Sequence, residues 1–137
     1  MKNCKKNTPE NSQLKRALAV QLEVAQIGFD WPSWHGALDK VSEEVDEVKA
    51  EFEANNQDNA KIDEELGDLL FAVINVVRHQ KSCPDALLKA ATDKFETRYN
   101  HTQHYVQSLG LTMSDATQEQ MEVGWQYAKQ QAKPLLK

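Results

Sequence analysis

The sequence has few of the residues that interrupt helices or cross-link chains. Its 137 residues include five glycines, four prolines and two cysteines. Because glycine and proline are the residues that break helices, their shortage favours a helical protein. Cys4 and Cys83 have neither CxxC spacing nor the number of partners of a disulfide framework. We therefore expect a reducing compartment and a cytoplasmic protein.

Long apolar runs and an excess of positive charge are also missing. No apolar stretch approaches the roughly 18–20 residues that span a bilayer. The basic N-terminus is not followed by the apolar segment of a secretory signal. The net charge of −5 argues against a nucleic-acid partner, because binding the phosphate backbone needs a basic surface. We expect neither a membrane nor a nucleic acid as partner.

Several familiar catalytic motifs do not occur. The chain has no P-loop, no glycine-rich dinucleotide motif and no convincing Ser/His/Asp or Cys/His set. No histidine follows a glutamate by three residues, which excludes the Glu-x-x-His pairs of di-iron bundles. His101 and His104 form an HxxH pair, but no cysteine or third histidine is nearby in sequence, so zinc is not expected.

Apolar residues recur every three or four positions in five segments, which predicts an all-α helical bundle of about five helices. The first predicted helix starts at the Thr8 cap and Pro9 and ends near Ile27. The second runs from Trp34 to Ala54 and the third from Asp58 to Lys81. The fourth opens with a capping box at Ser82–Asp85 and ends near Leu109, and the fifth begins at the capping box Thr117–Gln120. We expect one domain over residues 9–132, between disordered tails at 1–8 and 133–137.

The densest charge is acidic and lies on the second and third predicted helices. Residues three or four apart share a helix face, so Glu44 pairs with Glu47 and Glu65 pairs with Asp68. The short linker 55–59 could fold the helices back so that the two pairs face each other. Four carboxylates would repel unless cations lay between them, and oxygen ligands suit Mg²⁺ or Mn²⁺. A solvated acidic face without metal is the alternative.

Some residues of the first and third helices have two interpretations. Phe29 and Trp31, in the loop after Gly28, either plug the end of the bundle or form an aromatic wall beside a planar ligand. Gly67 lies between two acidic residues, where either a ligand or close packing would explain it. Asn75 follows Asp68 by two turns within an apolar run, so its amide is either a satisfied core group or a ligand contact.

The fourth and fifth helices carry further candidates. Lys94 and Arg98 are four residues apart and share a face. They are either surface cations or, opposite a metal cluster, groups that hold phosphates. Trp125 is either a core residue or the edge of a pocket.

The acidic pattern and its surroundings resemble the MazG family of all-α nucleoside triphosphate pyrophosphohydrolases. The pattern reads Glu43-Glu44-x-x-Glu47, then Glu65-x-x-Asp68. The resemblance, to the C-terminal catalytic MazG domain, covers roughly residues 13–130 and includes Gly28-Phe29-Asp30-Trp31, KIDEELGDLLF at 61–71, Asn75, Arg78-His79, Lys94-Phe95-x-x-Arg98 and Trp125. One departure is Ala90-Ala91-Thr92, where the family usually has Lys-Ala-Asn ahead of the KF pair.

This resemblance implies an activity and a set of site residues. The family hydrolyses a nucleoside triphosphate (NTP or dNTP) to the monophosphate and pyrophosphate, with water attacking the α-phosphorus. The implied catalytic residues and Mg²⁺ ligands, for which Mn²⁺ is a possible substitute, are Glu44, Glu47, Glu65 and Asp68. The implied substrate-binding residues are Lys61, Lys94 and Arg98 at the triphosphate, with Asn75 and Trp125 at the pocket.

The resemblance also implies an assembly. The apolar stripes of the second and third helices exceed the needs of one small bundle, and the family associates through such faces. We expect a homodimer or a dimer of dimers, with the catalytic core completed by dimerisation, and a house-cleaning role in nucleotide-pool control. Two alternatives stay open: a related pyrophosphohydrolase with a narrower nucleotide substrate, and a non-enzymatic helical interaction module.

Overall fold

Five α-helices make up the described part of the chain, which in this computed structural model comprises Cys4 and residues 11–131. The helices are α1 (Gln13–Gln26), α2 (Trp34–Glu53), α3 (Asn59–His79), α4 (Pro84–Ser108) and α5 (Gln118–Gln131). No strand occurs in these residues, so the predicted all-α fold is confirmed. The chain divides after Leu87 into two compact units. The first contains α1 to α3 and the start of α4, and the second contains the rest of α4 and α5.

The first helix starts later than predicted. Ser12 is its N-cap and accepts a hydrogen bond from the backbone N–H of Lys15 at 3.3 Å, whereas the predicted cap, Thr8, and Pro9 lie outside the described residues. The predicted end is correct. Gly28 adopts φ +91°, and the N–H of the next residue, Phe29, donates to the Val24 carbonyl at 3.0 Å. This is the Schellman arrangement, which needs a left-handed residue and therefore favours glycine.

The second and third helices form a hairpin that holds the first unit together. A five-residue linker (54–58) joins them, and they pack against each other extensively. Asp58 caps α3 by accepting from the Ala60 N–H at 3.0 Å, and the Gln57 amide donates to the Phe52 carbonyl at 2.7 Å. The first helix packs on α3, where its Gln21 side chain donates to the Phe71 carbonyl, and its Leu18 is buried. The predicted back-folding of α2 and α3 is therefore observed.

A disulfide joins Cys4 to Cys83. The two cysteines are 79 residues apart in sequence, but the fold brings their Cα atoms to 5.2 Å, a proximity that local sequence spacing does not show. The expected reducing compartment rested on that spacing and stays a prediction. Nearby, the Ser12 hydroxyl donates to the Asp85 carboxylate at 2.8 Å. Asp85 therefore bonds to α1's cap rather than completing the predicted capping box with Ser82.

The second unit is built on the contact between α4 and α5. Gly124 allows this contact, because a Cβ there would lie 2.9 Å from the Tyr105 ring and 3.1 Å from the Thr102 methyl group. The predicted capping box that opens α5 is confirmed. The Gln120 N–H donates to Thr117 Oγ1 at 3.1 Å, and the Thr117 N–H donates to Gln120 Oε1 at 2.8 Å.

Large apolar side chains remain exposed in the first unit. Among the described residues only eight hydrophobic side chains are buried, so the core is small. The exposed apolar residues of α2 and α3 are Trp34, Leu38, Val45, Phe52, Leu66, Leu70, Phe71 and Val73. Exposed apolar surface of this extent marks an interaction site more often than a bare surface. In the described residues no helix has both the length and the hydropathy to cross a membrane.

Candidate functional site

Three acidic side chains of α2 and α3 converge in the first unit. One carboxylate oxygen each from Glu44, Glu65 and Asp68 lies within 4.8 Å of the other two. Glu44 is buried, Glu65 is half-buried and Asp68 is exposed. The helix hairpin thus brings together three of the four carboxylates that the sequence predicts as metal ligands.

The fourth predicted carboxylate, Glu47, lies beside this group but outside it. Glu47 is exposed and is not one of the three converging residues. Its charge nevertheless acts on Glu65. Partial desolvation, followed by the negative charges of Glu47, Asp68 and Glu44, raises the pKa of the Glu65 carboxyl. The carboxylates of this cluster therefore repel one another.

Lys40 is the nearest counter-charge and was not among the predicted site residues. Its Nζ lies 2.7 Å from Glu44 Oε1 and 3.0 Å from Glu43 Oε1. Hydrogen bonds to Glu44 and then to Glu43 raise the pKa of the lysine. One ammonium group cannot balance the whole cluster, and all its donor atoms are carboxylate oxygens. That donor set fits a hard divalent cation such as Mg²⁺ or Mn²⁺.

A cavity of about 750 Å³ adjoins the acidic cluster, which is within the size range of small-ligand pockets. Glu44 and Asp68 border it, together with Lys40. Its other lining residues come from α1, the loop after α1, and later turns of α3: Val20, Gln21, Val24, Gly28, Phe29, Asp30, Trp31, Phe71, Ala72, Asn75 and Arg78. The cavity therefore runs along α3 from the acidic residue Asp68 to the basic residue Arg78.

Around Arg78 the charged side chains are paired with one another. The guanidinium donates from both terminal nitrogens to the Asp30 carboxylate, with Nη1 to Oδ2 at 3.1 Å, and from Nε to Asn75 Oδ1 at 2.9 Å. His79 Nε2 lies 3.2 Å from the same Asp30 carboxylate. The hydrogen bond from Arg78 lowers the pKa of Asp30. This network fixes the loop after α1 to α3.

Two further contacts shape the cavity wall. The Gln21 side chain donates from Nε2 to the Phe71 carbonyl at 2.9 Å, and its Oε1 is buried without a hydrogen-bond partner. The Trp31 ring lies on Gly36 so closely that a Cβ at that position would be 2.7 Å from the indole. The structure therefore supports the interpretation of Trp31 as a wall, because this residue and Phe29 line the cavity and are both exposed.

The remaining predicted residues are Lys61 and Gly67 on α3, and Lys94, Arg98 and Trp125 in the second unit. Lys61 is exposed on the first turn of α3, and at Gly67 a Cβ would meet nothing within 4 Å, so close packing does not explain that glycine. In the second unit Lys94 is exposed, and Arg98 is half-buried with an Nε that has no hydrogen-bond partner. Trp125 packs on Phe95 with ring centroids 5.3 Å apart.

An all-α fold in which a helix hairpin gathers carboxylates beside a ligand-sized cavity defines a helical protein with an acidic metal-type site. Comparison with known sequences identifies the family. Residues 34–103, just over half of the chain, match the MazG nucleotide pyrophosphohydrolase domain. The chain therefore belongs to the MazG family, as its sequence motifs predicted.

Curated relatives agree with this assignment. The chain is 42% identical over 118 residues to a nucleoside triphosphate pyrophosphohydrolase of Escherichia coli (strain K12), which covers 86% of this chain and 45% of that protein. It is 34% identical over 116 residues to the nucleoside triphosphate pyrophosphohydrolase/pyrophosphatase MazG of Thermotoga maritima, and the match covers 85% of this chain and 44% of that protein. An uncharacterized protein of Bacillus subtilis, YabN, is 35% identical over 78 residues, and the match covers 57% of this chain and 16% of that protein. The chain spans less than half the length of these relatives.

Proposed function

We propose that this chain hydrolyses nucleoside triphosphates to nucleoside monophosphate and pyrophosphate in a Mg²⁺-dependent reaction. The observation that carries the proposal is the convergence of Glu44, Glu65 and Asp68 beside a cavity, in a chain of the MazG family. The E. coli and T. maritima relatives, whose names state this activity, support the same reaction class.

The acidic cluster would hold the metal ion. The proposed ligands and catalytic carboxylates are Glu44, Glu47, Glu65 and Asp68. Once bound, a divalent cation supplies charge neutralisation at the phosphates and a more acidic water. Lys40, whose ammonium pairs with Glu44 and lines the cavity, would lie beside a metal ion held by these carboxylates and could contact a phosphate there.

The other proposed contacts are with the triphosphate and the pocket. Lys61, Lys94 and Arg98 are proposed to bind the phosphates, and Asn75 and Trp125 to border the pocket. Mn²⁺ is proposed as a substitute for Mg²⁺.

The atoms of the reaction balance without a covalent enzyme intermediate. The oxygen of water forms a bond to the α-phosphorus, the bond from that phosphorus to the bridging oxygen breaks, and pyrophosphate leaves. A proton of the water is released. The lysines and Arg98 stabilise the charge that develops on the leaving pyrophosphate.

A second copy of the chain is proposed to cover the exposed apolar residues of α2 and α3, giving a homodimer or a dimer of dimers. The small buried core of the described residues supports this, because these side chains lack cover within one chain. Light scattering at several protein concentrations tests it. A monomer at all concentrations would contradict it.

The decisive experiment incubates the protein with a panel of NTPs and dNTPs, with and without Mg²⁺, and separates the products by ion-exchange chromatography. Magnesium-dependent release of monophosphate and pyrophosphate is expected. Turnover of many bases would support a house-cleaning role, and turnover of one would support a narrower pyrophosphohydrolase. Diphosphate with orthophosphate would overturn the position of cleavage, and no turnover would favour a non-enzymatic interaction module.

A further inference from the structure

The amide of Asn75 has only one orientation that its neighbour permits. Arg78 Nε donates to Asn75 Oδ1 at 2.9 Å. A guanidinium group has donors and no acceptor, so the amide cannot turn its NH₂ group toward Arg78. In the described part of the chain the Asn75 NH₂ donates to no other protein atom. Since Asn75 lines the cavity, the cavity wall carries a fixed hydrogen-bond donor.

Gln21 is fixed in the opposite sense. Its Nε2 donates to the Phe71 carbonyl, which is only an acceptor, so the oxygen of the amide is the free group. Gln21 is 5% exposed, and its Oε1 has no partner in the described residues. Because that oxygen is out of reach of solvent, Gln21 ties α1 to α3 at the cavity wall and is not itself a ligand contact. Phe71 lies one turn before Asn75 on α3, so the two amides are neighbours along the wall.

An aromatic surface lies beside these amides. Trp31 and Phe29 line the same cavity, and 45% of Trp31 is exposed. The indole packs directly against Gly36, which leaves room for the ring because it has no side chain. Planar ligands stack on such surfaces, and nucleobases stack on aromatic side chains.

The charged network positions these groups. Asp30 precedes Trp31 in the loop, and its carboxylate binds Arg78, which in turn orients Asn75. The side chains of Asp30 and Arg78 are 25% and 9% exposed, so water competes weakly for this ion pair. Asp30 therefore positions the aromatic residue Trp31, and Arg78 positions the hydrogen-bond donor of Asn75.

We propose that Asn75 forms a nucleobase subsite with Trp31, in which the fixed amide presents a hydrogen-bond donor to the base edge. Every nucleobase has neighbouring donor and acceptor groups on an edge. The subsite rests on the proposed function, because it deepens the substrate contacts of that same site. Asn75 is seven residues from Asp68, or about 10 Å along α3. That spacing separates a base from phosphates bound at the acidic cluster.

Binding measured without hydrolysis tests this subsite. Calorimetry in Mg²⁺ compares the α,β-methylene analogues of ATP and CTP with inorganic tripolyphosphate, which has no base. The wild-type chain is expected to bind at least one analogue about ten-fold or more tightly than tripolyphosphate. Equal affinities, or no binding of either analogue, would overturn the proposal.

The first variant is Asn75→Asp, which keeps an oxygen facing Arg78 but removes the donor. We expect the affinity for the preferred analogue to fall by roughly ten-fold, with a much smaller change for tripolyphosphate. An equal loss for both ligands would mean a general electrostatic effect and would overturn the role of Asn75. Circular dichroism checks that the helices are retained.

Two glycines give a matched pair for the aromatic wall. Gly36→Ala places a methyl group against the Trp31 ring, whereas Gly67→Ala meets nothing within 4 Å. Only the first is expected to weaken analogue binding, by roughly three- to ten-fold, and to change tryptophan fluorescence. Analogue binding that is unaffected by Gly36→Ala would remove Trp31 from the subsite.

Asp30→Asn tests positioning rather than contact. If the proposed hydrolysis is observed, KM for nucleotides is expected to rise about three-fold or more while kcat is retained, since Asp30 touches neither metal nor phosphate. A fall in kcat with unchanged KM would contradict the positioning role.

These results separate the subsite from the proposed reaction. Selective analogue binding that is lost in Asn75→Asp, without turnover of any nucleotide, would keep the subsite and reject the hydrolysis. Turnover of nucleotides with no preference for an analogue over tripolyphosphate would keep the hydrolysis and reject the subsite.

Discussion

The two ends of the cavity along α3 have opposite electrostatic character. At the end near Asp68, carboxylates crowd together, and crowding and desolvation raise the pKa of Glu65. At the end near Arg78, the charges are paired, and the pairing lowers the pKa of Asp30. The same helix thus keeps unfavourable charge at one end and balanced charge at the other.

This difference separates two kinds of task. Side chains that repel one another are poorly held by the chain alone and are stabilised when a cation binds, so they suit a metal site. Side chains that are paired hold one another in place and suit a rigid recognition surface. Changes at one end should therefore leave the other end intact.

The largest effect is expected at the acidic end. Glu65→Gln or Asp68→Asn removes a proposed metal ligand, so the rate of nucleotide hydrolysis should fall by at least about 100-fold. Loss of a residue that only supports a metal ligand already costs up to about 100-fold, and loss of the ligand itself should cost more. The helical circular dichroism spectrum should not change. Asp46→Asn on α2 is the matched control, because Asp46 is exposed and outside the cluster. Activity retained in both cluster variants would remove this site.

Mg²⁺ should stabilise the folded chain, because it relieves the repulsion among the acidic residues. At a free concentration of about 100 times Kd, binding is expected to add about 2.7 kcal/mol to the free energy of unfolding. Thermal unfolding with Mg²⁺ and with EDTA measures the shift. Glu65→Gln should reduce it, whereas Asn75→Asp should not abolish it. An identical melting temperature with and without Mg²⁺ would contradict the metal site.

The Arg78 end should respond to pH instead of metal. The pKa of Asp30 is lower in the folded chain than its ordinary value of 3.8, so its ion pair stabilises the fold above that value. The contribution is lost as the pH falls below 3.8 through the lowered pKa. Asp30→Asn should therefore cost roughly 1–3 kcal/mol at about pH 7 and progressively less as the pH falls below 3.8.

Denaturant unfolding of the wild type and of Asp30→Asn at several pH values measures this difference. Glu23→Gln is a suitable control, since Glu23 is exposed on α1 and has no ion pair in the described residues. A difference that stays constant down to pH 2 would show that the Asp30 carboxylate gains nothing from Arg78.

Local spacing explains why the acidic end could be predicted from sequence. The pairing of Glu65 with Asp68 follows from the helix repeat, and the short linker brings Glu44 of α2 toward them. Helix spacing places Glu47 on the same face but does not fix where its carboxylate points, and it lies outside the group of Glu44, Glu65 and Asp68. Lys40 precedes Glu44 by one turn, so its pairing with that carboxylate also has a local signal in the sequence.

The Arg78 end depends on contacts between distant parts of the chain. Asp30 and Arg78 are 48 residues apart, and no periodic pattern relates the end of α1 to the end of α3. Gln21 and Phe71 are separated by 50 residues. The disulfide between Cys4 and Cys83 has the same origin. Sequence periodicity predicts which faces are buried, whereas these pairs depend on how the helices pack.

The smallest expected effect concerns Gly67, which lies between Glu65 and Asp68 at the acidic end. A Cβ there meets nothing within 4 Å, and alanine is the better helix former. Gly67→Ala should therefore raise the free energy of unfolding by about 1 kcal/mol in EDTA. Because the added methyl group meets no other atom, KM for nucleotides should not change, as the use of this variant as a control requires. A raised KM would show that the acidic end needs the open space at this glycine as well as its carboxylates.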